Sequence, residues 1–291
     1  MTVAQARRIL GRYEKIATRA DRARDAALLA EVAGGNVLER SKAGYKQYDA
    51  LSRRMRAPFS RPTRYRNPAF HIPAGSPWFL VTATRTAPSP QLTVLVFAKD
   101  RRTGQNRQPV ARWRLRAALP LQAGRLPRIA TTRAGLATEV SAASRSGTLR
   151  PADVPGTYED LWQTGGTGKA AALAPNAVTK EARSTYRHRD DELGAEGARR
   201  RFVPVRPRHR DSYELRTADG GVLAVVPLAH EQRLHVTRPG LQLTPSDEEA
   251  VYDPAPRSTV VSTFHGQALA HLPRQGRAVV LSAKYGLVDS R

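Results

Sequence analysis

Two apolar runs separated by a short turn form the most hydrophobic stretch in the N-terminal half of the chain. Residues 78–84 (WFLVTAT) and 92–97 (LTVLVF) are rich in β-branched and aromatic residues, and prolines and serines lie between them. Such runs favour strands, and a short turn joins antiparallel neighbours. The pattern predicts a β-hairpin that the surrounding elements cover.

Two amphipathic patterns precede the hairpin. Residues 3–30 carry apolar side chains three and four positions apart, which predicts one long helix with one face on a core. Residues 37–54 repeat the pattern after Gly34 and Gly35, and Pro58 is expected to end this second helix because proline lacks the backbone N–H.

Alternating apolar positions predict strands on both sides of the hairpin. One covers residues 63–72 and another residues 108–121. Residues 1–121 are therefore expected to form a first unit in which helices cover an antiparallel sheet.

The rest of the chain repeats this order after a connector of Gly, Ala, Ser and Arg at residues 122–150. Helices are predicted first and strands second, and the turn Asp219-Gly220-Gly221 is a strong hairpin signal. Residues 151–291 are thus expected to be a second domain. The fold class is α+β, with two tandem units of helices followed by a curved antiparallel sheet, NTF2-like or cystatin-like. The predicted elements of the second unit are helices at 158–162 and 175–198 and strands at 202–205, 213–217, 221–236, 259–272 and 277–287.

Charge is the most uneven property of the sequence. The net charge is +23, and residues 1–150 carry 29 Lys and Arg against 8 Asp and Glu, whereas residues 151–291 carry 19 against 17. An excess confined to one half indicates an anionic partner. The alternative is a solvated basic surface that reflects a composition rich in Arg and poor in Lys.

Two groups of arginines are the candidate anion-binding residues. Those of the strand at 108–121 recur at period two and are expected on one face, and those of the second helix lie near its C-terminal end. Trp113 has the opposite parity, so bases would lack an aromatic platform beside the charges. We therefore rank nucleic acid below an anionic envelope polymer or lipid headgroups. The candidates are Arg112, Arg114 and Arg116 in the strand and Arg53, Arg54 and Arg56 in the helix.

No stretch of the sequence has the pattern of a catalytic, cofactor or metal site. There is no Cys, which excludes disulfides, thiol chemistry and Cys-type zinc sites. The spacing of the His residues favours surface positions over a zinc site. Residues 165–169 (GGTGK) resemble a phosphate loop without its full spacing. We expect a non-enzymatic protein without cofactor or metal.

The N-terminal residues lack the apolar core of a signal peptide, and no run is long enough for a membrane span. The protein is expected to be cytoplasmic if the sequence is complete as given. It is expected to be extracytoplasmic or in the cell envelope if an export signal precedes this start.

Five stretches spread over the chain carry a family resemblance: 4–13 (AQARRILGRY), 24–29 (RDAALL), 126–130 (LPRIA), 158–162 (YEDLW) and 217–224 (TADGGVLA). Together they resemble a family of actinobacterial secreted proteins and lipoproteins built on a domain of unknown function. The resemblance implies envelope association and carries no catalytic residues. The order of residues 3–121 also resembles NTF2-like cone domains, which implies a sheet curled around a pocket.

Three hypotheses of function follow. The first is an envelope-associated binding or scaffold protein whose basic N-terminal domain faces an anionic partner. The second is a cytoplasmic protein that associates with nucleic acid through the same surface. The third is a small-molecule pocket or enzyme in the NTF2-like cone, for which a polar cluster at the mouth of the first sheet would be the sign.

Overall fold

The computed structural model describes residues 1–87, 89–100, 112–191, 193–194 and 197–291. The elements occur as two successive sets of helices followed by strands. The helices are α1 (Val3–Ala23), α2 (Ala26–Leu29), α3 (Gly35–Lys46), α4 (Arg53–Ser60), α5 (Val154–Thr164), α6 (Ala177–Arg187) and α7 (Asp247–Ala250). The strands are β1 (Tyr65–His71), β2 (Trp78–Arg85), β3 (Gln91–Lys99), β4 (Trp113–Pro120), β5 (Ala198–Pro204), β6 (Tyr213–Arg216), β7 (Val222–Val236), β8 (Thr259–Leu272) and β9 (Val279–Ser290).

Two antiparallel sheets organise the molecule. The first has the order β1-β2-β3-β4, so it is a meander of neighbours in sequence. The second has the order β5-β7-β8-β9. The short strand β6 lies on the same edge of β7 as β5 does, but β6 pairs with the first half of β7 and β5 with the second half. The predicted α+β class with two helix-then-sheet units is confirmed, as is the hairpin β2–β3.

The sheets pack face to face between two layers of helices. Phe79 and Val81 of β2 join the core beneath α1 and α3, while Trp78 and Leu80 join a core shared with the second sheet. A third core lies between the second sheet and helices α5 and α6. The hairpin is buried on both faces, which explains why its strands are continuously apolar rather than alternating.

The predicted helix 3–30 is wrong in extent. α1 ends at Ala23 because Arg24 takes a left-handed conformation with φ 53°. Asp25 then starts α2, and its side chain accepts the Leu28 N–H at 2.9 Å. A capping Asp thus divides a continuous amphipathic pattern. Gly35, with φ 58°, begins α3 rather than ending the preceding helix.

The predicted helix 37–54 is also divided. α3 ends at Lys46, a short 3₁₀ turn covers Tyr48–Ala50, and Ser52 caps α4 through the Met55 N–H. Pro58 lies inside α4 and does not end it. The apolar periodicity continues through these breaks, because the short helices cover one continuous surface.

The strand predicted for residues 108–121 is observed from Trp113, and residues 108–111 lie outside the described part of the chain. Its register shifts at Arg116, since Phe97 pairs with Leu115 and Val96 with Ala117. This β-bulge reverses the parity of the strand. Leu115 therefore faces the helices and Ala117 the second sheet.

The two predicted domains share an interior. Trp78 of the first sheet packs against Tyr213 of the second, with ring centroids 5.2 Å apart. Within the predicted connector, Ile129 and Ala137 are buried in the same core. The division at residues 122–150 stays a prediction, which the following change tests.

Leu223→Ala is expected to lower the free energy of unfolding by about 3 kcal/mol, because Leu223 is fully buried between the sheets. Calorimetry should show one transition that moves as a whole. Leu92→Ala is the control, since Leu92 is 37% exposed. Two transitions, of which only one moves, would instead favour independent domains.

Candidate anion-binding site

A cavity of about 570 Å³ lies between the helices of the first unit and strand β9 of the second. α1, α3 and α4 form its walls on one side, and the ends of β1 and β2 with the middle of β9 form the other. This volume is within the range of small-molecule sites.

Four cationic side chains line this cavity, and one of them, Arg61, directly follows α4. The other three interact electrostatically, and we call them the cation cluster: Arg40 of α3, Arg85 at the end of β2, and Lys284 of β9. Arg40 lies along Gly286, where a Cβ would be 3.3 Å from its Cγ and Cδ, and its Nη1 donates to the Lys284 carbonyl at 3.0 Å. Glycine at position 286 therefore makes room for the arginine stem.

Within the described residues, the cation cluster has no carboxylate partner. Among the ion pairs within 4.0 Å in the described ranges, none includes Arg40, Arg85 or Lys284. The buried Nε–H groups of both arginines also have no hydrogen-bond partner. Buried donors without acceptors are costly, so the cluster is arranged for an acceptor that carries negative charge.

The surroundings change the ionisation of the cluster. Burial, and then the charges of Arg40 and Arg85, lower the pKa of Lys284 to about 8. Burial lowers the pKa of Arg40 to about 10, which leaves it charged at neutral pH. Lys284 is nevertheless exposed by surface area, so water screens part of this effect.

One carboxylate, Asp21, lines the same cavity but accepts the Tyr45 hydroxyl at 2.6 Å instead of pairing with a cation. Burial raises the pKa of Asp21. Burial also raises the pKa of Tyr13 and Tyr65, although the charge of Arg85 acts in the opposite direction. These two tyrosines line the cavity with Arg85 and remain hydrogen-bond donors.

The remaining wall of the cavity is largely apolar. Met55 and Phe59 of α4 cover it, and Phe59 is held in place by edge contacts with Tyr45 and Tyr48. Met55 is 51% exposed, so it lies where the cavity meets solvent. The cavity therefore combines a cationic end with an apolar wall. Other aliphatic residues of the wall include Val37, Leu51, Ala118 and Leu287.

The arginines predicted in the second helix lie on or near α4. Arg53 and Arg54 are exposed. Arg56 turns back, and its Nε donates to the Leu51 carbonyl at 2.7 Å while the guanidinium lies 5.3 Å from the Tyr48 ring. Arg56 is thus occupied by the chain that carries the cavity wall.

Arg114 and Arg116 of the predicted anion-binding face lie side by side, and both pair with Asp100, at 3.2 and 2.6 Å. Asp100 neutralises part of their charge, and anion binding by this face stays a prediction. Arg112 precedes β4 and lines a different hollow beside Trp113. Trp113 packs against the helix-side core with Leu115, as its parity predicted, and Lys99 lies 5.3 Å from its ring.

The prediction of surface histidines is wrong for two of them. His230 is 1% exposed and His265 8%. Each pairs with a glutamate from the helix layer that covers its strand, His265 with Glu39 at 2.7 Å and His230 with Glu159 at 3.1 Å. Strand periodicity could not show these helical partners.

Glu39 is shared by several cations beside a second hollow of about 340 Å³. Burial alone would raise its pKa, but the hydrogen bond from His265 and the charges of His209 and Arg208 lower it. In this hollow the cations have a carboxylate partner, Glu39, whereas the members of the cation cluster have none among the described residues. Glu39 thus joins α3 to the second unit.

The loop that resembles a phosphate loop binds its own carboxylate. Asp160 accepts the N–H groups of Gly168 and Ala170 at 3.1 and 2.9 Å. The amides that would hold a phosphate are therefore occupied.

Asp160→Ala is expected to cost about 2 kcal/mol of unfolding free energy, since it leaves these buried amides without an acceptor. Urea denaturation measures the loss. Asp153→Ala, on an exposed residue at the start of the same helix, should cost clearly less. Equal losses would contradict the role of Asp160.

In the described part of the chain, no cluster of three or more His, Cys, Asp or Glu side chains is placed to hold a metal ion. None of the helices there is both long and apolar enough to span a membrane.

The comparisons with known proteins place the whole chain in one family. The model of a domain of unknown function, DUF8094, matches residues 1–291. The chain belongs to the DUF8094 family. An uncharacterised lipoprotein of Streptomyces coelicolor is 28% identical over 285 residues, covering 95% of this chain and 78% of the relative. No solved structure shows significant similarity to this DUF8094 chain.

These two matches confirm the predicted resemblance to a lipoprotein-like family with a domain of unknown function. The NTF2-like resemblance stays a prediction.

Sequence reasoning missed all three members of the cation cluster. Arg40 and Lys284 are 244 positions apart, and nothing in either segment indicates the other. The sequence did contain a signal for Arg85. It lies at even spacing from Phe79, Val81 and Ala83 of the same strand, so its side chain is expected on the face that packs against the helices. A charged residue at a core-facing position is a candidate for function.

Proposed function

We propose that this DUF8094 protein is an envelope-associated, non-enzymatic binding protein that holds an anion in the cavity of the cation cluster. The observation that carries the proposal is the meeting of Arg40, Arg85 and Lys284 without a carboxylate partner among the described residues. Like charges held together in a cavity raise the energy of the free protein, and a bound anion offsets that cost.

Two further observations support the proposal. The lipoprotein relative supports envelope association. The net charge of +23 raises the local concentration of anions around the protein. The ligand would be a small anion or the anionic end of an envelope polymer or lipid, as the first hypothesis expected.

Titration calorimetry with inorganic phosphate, at constant ionic strength, tests the proposal. Arg40→Met with Lys284→Met should weaken binding at least tenfold, because charge-assisted hydrogen bonds are each worth about 1.5–3 kcal/mol. Arg53→Met with Arg54→Met removes the same charge from the exposed side of α4 and should change binding by less than about twofold.

Equal weakening by both double variants would show that the general positive field attracts the anion, and no binding by the unaltered protein would exclude the site. Tight, salt-dependent binding of DNA that the cavity double variant leaves unchanged would favour the nucleic-acid hypothesis instead.

A further inference from the structure

The cation cluster has more positive charge than a single carboxylate can balance. The three members of the cluster line the cavity together with Tyr13 and Tyr65, whose hydroxyls are further potential donors. A carboxylate carries one negative charge and two acceptor oxygens, whereas a phosphomonoester carries about −1.5 to −2 at neutral pH and three strong acceptor oxygens. Arginine guanidinium groups match phosphate geometry in two-pronged contacts. Charge and donor number both favour the phosphomonoester.

The rest of the cavity favours an apolar group next to that head. Phe59 and Leu287 line it together with Met55, whose flexible side chain adapts to different shapes. Half of Met55 is exposed although it is a large hydrophobic residue, and an apolar ligand would cover it. A wholly polar ligand such as free phosphate would leave this wall unused.

We propose that the ligand is an alkyl phosphomonoester, with its phosphoryl group on Arg40, Arg85 and Lys284 and its alkyl chain against Met55, Phe59 and Leu287. This inference rests on the proposed function, because it names the ligand class of the same cavity. The chemistry is shared by a soluble alkyl phosphate and by the head of a phosphomonoester lipid, and the experiment separates these sources.

The experiment compares ligands that differ in head and in chain length. Methyl, butyl and hexyl phosphate are titrated against the full chain at pH 7, beside the alkyl sulfates and carboxylates of equal length. Affinity should rise about fourfold for each CH₂ group that becomes buried. At equal length phosphate should bind at least tenfold more tightly than sulfate, which has the same shape and only one negative charge.

Variants assign the two parts of the ligand. Met55→Ser should flatten the dependence on chain length while leaving the affinity for methyl phosphate within about twofold. Because Met55 is exposed, the substitution should leave folding intact. Phe59→Ala should do the same more strongly, with its melting temperature as the check on folding. Lys284→Met should weaken all phosphates and leave the chain-length dependence unchanged.

The outcomes are distinct. If no anion binds, the proposed function itself fails. If anions bind but neither chain length nor the second charge matters, the proposed function stands and the alkyl phosphomonoester is wrong. Vesicles containing 10% phosphatidic acid provide the lipid arm. If the protein binds these vesicles and hexyl phosphate does not displace it, the inference is overturned. If hexyl phosphate does displace it, the inference is supported, and the head of a phosphomonoester lipid is an accessible ligand.

Discussion

Glu159→Ala is expected to lower the free energy of unfolding by about 4 kcal/mol, the largest stability effect of any side chain discussed above. Its carboxylate lies in the third core, where Oε2 contacts His230 Nδ1 at 3.1 Å and Oε1 accepts the Tyr285 hydroxyl at 2.6 Å. Truncation would leave two buried polar groups without a partner and a void among the rings of Trp162 and Phe264 that surround His230.

Two comparisons separate charge from packing. Glu159→Gln keeps the volume and one acceptor, so its loss should be about half that of the alanine variant. Glu181→Ala, on an exposed position of the neighbouring helix α6, should change stability by less than about 0.5 kcal/mol. Urea unfolding gives the three values. A loss below about 1 kcal/mol for Glu159→Ala would mean that His230 and Tyr285 are satisfied without it.

Anion binding is expected to weaken about tenfold between pH 7 and pH 9, because the pKa of Lys284 is about 8 in the free protein. The protonated fraction of Lys284 falls about tenfold over this interval, and only the charged form attracts the anion. Phosphomonoesters are already dianionic there, so the change belongs to the protein. Titration in buffers of different ionisation enthalpy should show uptake of about half a proton per ligand at pH 8.

Lys284→Arg is the decisive control. Because an arginine stays charged across this range, the affinity of this variant for the anion should be nearly independent of pH.

The stability of the free protein should change with pH in the opposite direction to anion binding. The pKa of Lys284 is lower in the folded protein than in the unfolded chain, so its contribution to stability rises as pH increases from about 8 to about 10. Lys284→Met should therefore raise the melting temperature of the free protein at pH 7, by an amount that solvent screening keeps small. A lower melting temperature would contradict the unpaired state of the cluster.

The local pattern was sufficient for most of the secondary structure. The continuous apolar run of β2 and β3 predicted a buried hairpin, and the Asp219-Gly220-Gly221 turn predicted the junction of β6 and β7; both are observed. Helix ends were predicted less well, because the cap at Asp25 depends on one side-chain hydrogen bond that leaves the periodicity unchanged.

The candidate site was not predictable in the same way. Period two placed three arginines of residues 112–116 on one face, but it could not show that Asp100 pairs with two of them or that a bulge lies at Arg116. The register of a strand depends on its neighbour, so a bulge is not visible in the strand's own sequence.

The sequence by itself determined the class of fold, the order of its elements, the strongly basic N-terminal half and the resemblance to a lipoprotein family. Those properties follow from local propensity, periodicity and composition. Only the tertiary structure decided which charges meet. It packed the two sheets against each other, placed α3 against β9, and so brought Arg40 and Arg85 to Lys284, far along the chain. Electrostatic interaction depends on distance in space and on exclusion of water, and neither quantity is encoded in the spacing of residues along the chain.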